Sequence, residues 1–201
     1  MLLNILAVGD IVGEGGQDIL ARRLRELQRE HDIHFTVVNG ENASGVGLTP
    51  RQARGLYDAG ADVITLGNHT WNRIQIADFL DKDPYILRPA NYAGRVPGRG
   101  FGVYDGPKGL KIGVMNLMGR LELNSNLDSP FKAANQILRS HEAQQCQVLL
   151  LTFTPRPPAR RAPWPGIWTD ASTPCGAPTP TCPPPTPRFC PRAPALSPTW
   201  V

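Results

Sequence analysis

Residues 34–42, HFTVVNGEN, join an apolar run to a group of polar residues. The run from Phe35 to Val38 is apolar and β-prone, which is typical of a buried parallel strand. It gives way abruptly to Asn-Gly-Glu-Asn, a polar group that the interior of such a strand would not accommodate. The stretch therefore predicts a core strand that delivers polar side chains at its carboxyl end.

The same pattern occurs on both sides of this stretch. LLNILAVGD (2–10) and ADVITLGNH (61–69) are also apolar runs that end in polar residues. The segments between and after them have helical spacing of apolar residues, with charges on the other face; they are residues 16–31, 49–60 and 73–81. This βαβαβα order predicts a mostly parallel sheet with helices on its faces.

The later part of the chain predicts a β-hairpin, a helix and one more strand. Residues 98–119 alternate around a Gly-Pro-Lys-Gly turn, and residues 129–144 have a helical pattern with Pro130 near the start. The strand begins at Val148 and is expected to end at Leu151, because QVLLLTFTPRPPARR (147–161) turns into a string of Pro and Arg.

The composition changes at the same point. Residues 152–201 contain 15 of the 21 prolines and five of the 21 Lys and Arg residues, but only one acid, Asp170. They therefore account for the whole net charge of +4, and residues 1–151 are formally neutral. We expect two parts, a folded domain over 1–151 and a disordered Pro-, Arg- and Thr-rich tail over 152–201.

Charge and hydropathy argue against a nucleic-acid-binding protein and against a membrane protein. The neutral body argues against a strong nucleic-acid footprint. The first residues, MLLNILAVGDIVG, lack a charged leader and a small-residue cleavage site, and no apolar run reaches membrane-spanning length. The spacing of the four cysteines fits neither a paired zinc site nor a convincing disulfide framework. We therefore expect a cytoplasmic protein without a membrane partner.

Candidate chemistry lies at the three strand ends, which deliver Asp10, then Glu41 and Asn42, then Asn68 and His69. In open α/β sheets, ligands bind beyond the carboxyl ends of the strands. Carboxylate, carboxamide and imidazole groups suit hard or borderline divalent ions, and a carboxylate such as Glu41 can bridge two of them. His69 could then protonate a leaving oxygen in phosphoryl transfer.

Each residue alone also has a structural interpretation. Asp10 could cap the following helix, Asn42 could serve a turn, and a single histidine is more often structural than catalytic. The ordered combination of Gly-Asp, Asn-Gly-Glu-Asn and Gly-Asn-His is much more specific than any one of these residues.

AVGDIVGEGG, VVNGENASGVGLT and DVITLGNHTWN resemble the signature segments of the calcineurin-like metallophosphoesterases, and most closely the YmdB-like branch of cyclic-nucleotide phosphodiesterases. The resemblance covers residues 1–151. It implies a layered α/β sandwich with two packed sheets and a centre of two divalent or mixed-valence metal ions, iron or alternatively manganese. By motif, Asp10 and Asn42 would bind one ion and Asn68 the other.

The resemblance also implies that Glu41 bridges the two ions and that His69 is the proton donor. Three more histidine ligands are expected in the family, one in an Asp-Phe-His segment and two in a Gly-Thr-His-Thr-His segment. This chain has four histidines; His31 and His34 flank a strand start, and His141 lies in a predicted helix. None of those three can replace the missing ligands.

The sequence of the tail suggests that the codons for those ligands are present but read in a different frame. Read one base out of frame, every Thr codon becomes a codon for His, Asp, Asn or Tyr. Residues 152–161 are then compatible with a segment that begins Asp-Phe-His, and residues 177–183 with Gly-Thr-His-Thr-His-Val-Pro. Thr154, Thr179 and Thr181 would mark the three lost histidines, which suggests a frameshift near codon 151.

The sequence therefore predicts a metal-dependent phosphoesterase, acting on phosphodiesters and, by resemblance, on cyclic nucleotides. Its activity is expected to be impaired by the missing ligands. A homo-oligomer is the candidate assembly. Two alternatives are a non-catalytic nucleotide-binding module and an RNA-associated regulatory protein. The first lacks the G-x-G-x-x-G order and does not account for Asn-Gly-Glu-Asn or Gly-Asn-His, and the neutral body argues against the second.

Overall fold

The computed structural model describes residues 2–120 and 126–154. Within these residues the first half alternates strands and helices as the sequence predicts. Its elements are β1 (Ile5–Val8), α1 (Gly13–Glu30), β2 (Phe35–Asn39), α2 (Pro50–Ala59), β3 (Val63–Thr65), α3 (Gln75–Lys82) and β4 (Ile86–Leu87). The four strands form one parallel sheet in the order β1-β2-β3-β4.

The second half forms a smaller mixed sheet. Its elements are β5 (Phe101–Asp105), β6 (Lys111–Met118), α4 (Pro130–Leu138), α5 (His141–Gln144) and β7 (Val148–Thr154). The strands β5 and β6 are antiparallel around a turn at Pro107–Gly109, which confirms the predicted hairpin. The strand β7 then pairs with β6 in parallel.

Three apolar clusters show how the layers stack. One contains residues of α1, α2 and α3 together with Val38 and Ile64, so these helices cover one face of the parallel sheet. A second joins the opposite face, at Val37 and Val63, to Val114 of the second sheet. A third packs α4 on the outer face of the second sheet. The result is a helix–sheet–sheet–helix sandwich, which confirms the layered α/β class.

Local sequence explains where the best-defined helix begins and ends. Thr49 and Gln52 form a capping box at the start of α2: the Thr49 hydroxyl accepts from the Gln52 backbone N–H, and the Gln52 side chain accepts from Thr49. Pro50 occupies the first turn, where its missing N–H costs nothing. The helix stops at Gly60, whose φ of 120° favours glycine.

Three details differ from the sequence prediction. The predicted helix 129–144 is two helices, because the helical conformation is interrupted at Arg139 and Ser140. The Ser140 hydroxyl caps α5 by accepting a hydrogen bond from the Ala143 backbone N–H. The two-residue strand β4 was not predicted, since so short a segment carries no clear pattern.

The third difference is the length of β7, which continues to Thr154 rather than ending at Leu151. The three extra residues pair in register with Asn116, Leu117 and Met118 of β6. Thr and Phe favour strands, and the prolines that end the pattern begin only at Pro155. The expected disorder of the remaining tail concerns residues outside the described part of the chain.

Among residues 2–120 and 126–154, no helix is both long and apolar enough to cross a bilayer.

Candidate functional site

The five residues singled out in the sequence follow three neighbouring parallel strands. Asp10 follows β1, Glu41 and Asn42 follow β2, and Asn68 and His69 follow β3. Backbone hydrogen bonds hold the three loops together, among them Gly13 N–H to the Asn42 carbonyl at 3.0 Å. The structure therefore brings these loops to one edge of the sheet, as the strand order requires.

Asp10, Asn42 and His69 form a hydrogen-bonded chain. The Asn42 amide Nδ2 donates to Asp10 Oδ2 at 2.7 Å, and Asn42 Oδ1 lies 2.7 Å from His69 Nδ1. An ionised carboxylate only accepts, so the Asn42 amide group must face Asp10 and its oxygen must face the imidazole. His69 Nδ1 therefore carries the proton, and Nε2 is the nitrogen that is available to exchange a proton with a ligand.

Glu41 is the most deeply buried of the candidate residues, with 4% of its surface exposed. Its Oε1 accepts the backbone N–H of His69 at 3.0 Å and lies 3.4 Å from His69 Nδ1. Burial raises the pKa of Glu41, while the backbone N–H and the charge of His69 act in the opposite direction. The loop after β3 thus supplies both the backbone N–H that orients this carboxylate and the imidazole beside it.

Asn68 lies between Gly67 and His69 and is half-buried. Its backbone N–H also favours the ionised form of Glu41, so this residue contacts the site through its main chain. No hydrogen bond of its side-chain amide is seen among the described residues. The side chain of Asn68 is therefore not engaged in the way that those of Asp10 and Asn42 are.

The donor atoms of the cluster fit a cation. Asp10 Oδ1 is buried and accepts no hydrogen bond from the described residues. An unsatisfied buried charged oxygen is costly, by about 1–3 kcal/mol or more, and a bound cation would compensate it. Together, Asp10, Glu41 and Asn42 supply oxygen donors of the kind that hard divalent ions prefer.

Within the described residues, His, Cys, Asp and Glu side chains alone do not form a metal site. Across residues 2–120 and 126–154, no group of three or more His, Cys, Asp and Glu side chains is arranged to hold an ion. The two-ion centre therefore stays a prediction. Thr179 and Thr181, two of the positions expected to have encoded further ligands, lie outside the described part of the chain.

The other histidines are remote from this edge. The backbone N–H of Asn4 donates to His34 Nδ1 at 3.2 Å, just before β2 begins. His31 ends α1, and His141 lies in α5. Their positions agree with the inference that none of them replaces a missing ligand.

Sequence reasoning missed the segment after β4, which also reaches the site. The Tyr92 hydroxyl lies 3.5 Å from the Gly67 carbonyl, and its ring contacts Trp71 with the ring centres 5.7 Å apart. The neighbouring Asn91 is buried, and its Nδ2 donates a hydrogen bond to the Met118 carbonyl at 2.8 Å. This bond anchors the segment. The signal was weak because β4 has only two residues, so its carboxyl end was not recognised.

Sequence reasoning also missed a link between the sheets. Asn116 in β6 donates through Nδ2 to the Leu66 carbonyl at 2.6 Å and to the Leu87 carbonyl at 2.9 Å. Its Oδ1 accepts from the Thr152 hydroxyl at 3.0 Å. The carboxyl ends of β6 and β7 therefore lie at the same edge of the sandwich as the loop that carries His69.

Comparison with known proteins supplies the family. The sequence model of the family described as "YmdB-like protein" matches residues 6–156. A Bacillus subtilis (strain 168) protein named "2',3'-cyclic-nucleotide 2'-phosphodiesterase" is 42% identical over 152 residues, which cover 75% of this chain and 56% of that protein. The matched part of the chain thus spans about half the length of this curated relative.

Two solved structures have the same fold. One is a hypothetical protein from Thermus thermophilus, with a TM-score of 0.68 and 28% identity over 76% of this chain and 57% of that one. The other is described as a novel phosphatase from Mycoplasma pneumoniae, with a TM-score of 0.68 and 26% identity over 77% of this chain and 56% of that one. Since the family match covers three quarters of its residues, the chain belongs to the YmdB-like protein family.

Proposed function

We propose that this chain is a phosphoesterase that hydrolyses phosphodiesters, with cyclic nucleotides as its substrate class. The observation that carries the proposal is the contact of Asp10, Asn42 and His69 beside the buried Glu41, with one Asp10 oxygen left without a partner. The printed name of the Bacillus subtilis relative and the phosphatase description of the Mycoplasma pneumoniae structure support the reaction class.

The residues divide into ligands and a proton carrier. Asp10 and Asn42 would hold one divalent ion, Asn68 the second, and Glu41 would contact both; iron is the expected metal and manganese the alternative. When bound, two such ions supply positive charge to the phosphate oxygens and an activated water. His69 in its protonated form would donate from Nε2 to the leaving oxygen, and Asn42 orients the ring from the other side.

We further propose that the site of this chain is incomplete, because the ligands expected after β7 are replaced. Thr154 ends β7, and the Gly119 backbone N–H binds its carbonyl at 3.1 Å. Since β7 and β6 end at the edge that carries His69, a histidine at position 154 would lie on the correct side of the sandwich. This placement supports the frameshift hypothesis for the tail.

The first experiment measures hydrolysis of bis(p-nitrophenyl) phosphate and of 2',3'-cyclic AMP by the full chain, with Mn²⁺ or Fe²⁺ added. We expect His69→Gln to lower the rate about 10²- to 10⁴-fold, the usual contribution of general acid–base catalysis. His34→Gln is the matched control, since His34 lies before β2 rather than after it, and it should keep the rate. An unchanged rate in His69→Gln would refute the assigned role.

The second experiment sequences the gene across codons 145–185 and compares this chain with the protein read in the shifted frame. We expect the shifted frame to encode Asp-Phe-His and Gly-Thr-His-Thr-His, and its product to bind more metal and hydrolyse faster. A stop codon or unrelated residues there would remove the frameshift hypothesis. Full activity of the present chain with two bound ions would contradict the incomplete site.

The non-catalytic alternatives, a nucleotide-binding or RNA-associated regulatory protein, are not favoured, because the names printed for the Bacillus subtilis relative and the Mycoplasma pneumoniae structure are those of enzymes. The cytoplasmic location, the weak nucleic-acid footprint and the homo-oligomer stay predictions.

A further inference from the structure

An aromatic pair lies beside the candidate site and has no role in the proposed reaction. Trp71 comes two residues after His69, and Tyr92 reaches it from the segment after β4. The two rings meet edge to face, with their centres 5.7 Å apart and their planes at 69°. This is a favourable geometry for an aromatic pair, and it fixes both rings relative to the site.

The polar end of Tyr92 faces the loop after β3. Its hydroxyl lies 3.5 Å from the Gly67 carbonyl, and the Thr70 and Trp71 side chains are close enough to act on the pKa of the phenol. Glu41 is close enough to act on Tyr92 electrostatically, and together with burial it raises the pKa of the phenol. The hydroxyl therefore stays protonated at neutral pH, and the pair is anchored within reach of the candidate ligands.

Neither ring is fully enclosed. Trp71 packs on the apolar cluster under the helices on one side, but both Trp71 and Tyr92 are only half-buried. Part of the surface of each side chain is therefore accessible to a ligand. A rigid, partly open aromatic surface next to a phosphate-binding centre suits the base of a nucleotide, because every base has a face that can stack.

We propose that Trp71 and Tyr92 form a subsite that binds the nucleobase of a cyclic-nucleotide substrate by stacking, while the phosphate lies at the centre around Asp10 and Glu41. This inference rests on the proposed function and adds the group that distinguishes a nucleotide from other phosphodiesters. Trp71 provides most of the stacking surface, and Tyr92 holds its orientation.

The experiment measures equilibrium binding of two probes to the full chain with Mn²⁺ present: 2',3'-cyclic AMP and inorganic phosphate. We expect Trp71→Leu to weaken binding of 2',3'-cyclic AMP about tenfold or more, in line with the loss of one base–aromatic stack. Binding of inorganic phosphate should be unchanged, since phosphate has no base. Trp71→Phe keeps a ring and should lie within about threefold of the unsubstituted chain for both probes.

The outcomes separate this subsite from the proposed function. Equal 2',3'-cyclic AMP affinity in Trp71→Leu, or phosphate binding by the unsubstituted chain without any advantage for the nucleotide, would overturn the subsite and leave the phosphoesterase in place. Parallel loss of both probes in Trp71→Leu would make Trp71 a structural residue, which also overturns the subsite. Failure of the unsubstituted chain to bind either probe would overturn both proposals.

Discussion

The carboxylate of Glu41 lies directly against the α-carbon of Gly67. A β-carbon built at position 67 would be 1.9 Å from Glu41 Oε2, far inside any permitted contact. Glu41 is buried here, so it cannot swing into solvent to make room. Glycine at position 67 is therefore what allows a buried carboxylate at the end of β2 to meet the loop after β3.

Gly67→Ala should damage both the fold and the site. We expect a loss of about 1–3 kcal/mol in the free energy of unfolding, the usual cost of overpacking, together with weaker binding of divalent ions. Urea unfolding and a Mn²⁺ binding isotherm measure the two effects. The matched control is Gly55→Ala in α2, where the new methyl group meets nothing within 4 Å.

Gly55→Ala should raise the free energy of unfolding by about 0.5–1 kcal/mol, because alanine is the better residue inside a helix. Similar losses in the two variants would show that the Glu41–Gly67 contact has no special importance.

Asn42→Asp should place a second carboxylate in contact with that of Asp10 and so destabilise the folded protein. The Asn42 amide donates to Asp10 at 2.7 Å, and an aspartate there would replace a charge-assisted hydrogen bond by repulsion. We expect a loss on the order of 2 kcal/mol in the free energy of unfolding at pH 7 without metal. Repulsion raises the pKa of the carboxyl pair in the folded protein, so the loss should shrink as the pH falls toward about 4.

Asn39→Asp is the control for that substitution. Asn39 Oδ1 accepts the Glu41 backbone N–H at 2.9 Å, and an aspartate oxygen can accept it equally well. We therefore expect a smaller loss at position 39. Equal losses at pH 7, or a loss at position 42 that does not depend on pH, would contradict the proposed hydrogen-bonded chain.

Glu41→Gln should stabilise the metal-free protein at neutral pH. Burial raises the pKa of Glu41, so the folded protein binds this proton more tightly than the unfolded chain does. Ionisation of Glu41 consequently lowers stability as the pH rises through the folded-state pKa. The neutral glutamine avoids this loss while its side-chain oxygen still accepts from the loop after β3.

We expect a gain on the order of 1 kcal/mol at pH 8, the size usual for a single stabilising substitution, and little difference near pH 4. Urea unfolding in the presence of a chelator measures it at both values. Glu30→Gln, on an exposed side chain at the end of α1, should show no such dependence on pH. A gain that is the same at both pH values would refute the explanation by burial.

Thr154→His should strengthen metal binding in the present chain. Position 154 ends β7 at the edge of the sandwich where the candidate ligands lie, and imidazole is a ligand that suits iron. We expect Fe²⁺ to bind at least about tenfold more tightly. Thr154→Leu replaces the same side chain without adding a donor, and unchanged affinity in both variants would place position 154 outside the site.

The sequence predicted the fold best where each element carries its own periodic pattern. The parallel strands and the helices between them were predicted because burial on both faces leaves an unbroken apolar run, as in Phe35 to Val38. The hairpin at Pro107–Gly109 was predicted from its turn residues. In contrast, the two residues of β4 carry no clear local pattern. The last three residues of β7 were missed because the strand was expected to end at Leu151, where the composition changes, although Thr and Phe favour strands.

Part of the candidate site could likewise be predicted from the sequence, and part required the structure. Topology alone brings together Asp10, Asn42 and His69, since consecutive parallel strands present their carboxyl ends at one edge. Tyr92 could not be predicted, because it reaches the site from a strand of two residues and through a contact with Trp71. The hydrogen bonds that fix the His69 tautomer also required the structure, because they depend on which way the Asn42 amide faces.

Asn116 makes the two sheets a single cooperative unit. Its amide donates to the main-chain carbonyls at the ends of β3 and β4. Separating the sheets would leave the Leu66 carbonyl without its partner, at about 1–3 kcal/mol, whereas the Leu87 carbonyl would keep the Leu66 backbone N–H. Amide hydrogens of β3 and β6 should therefore exchange with solvent through the same global opening, rather than through independent local ones. The loop that carries His69 is accordingly tied, at Leu66, to a residue that comes some fifty positions later in the chain.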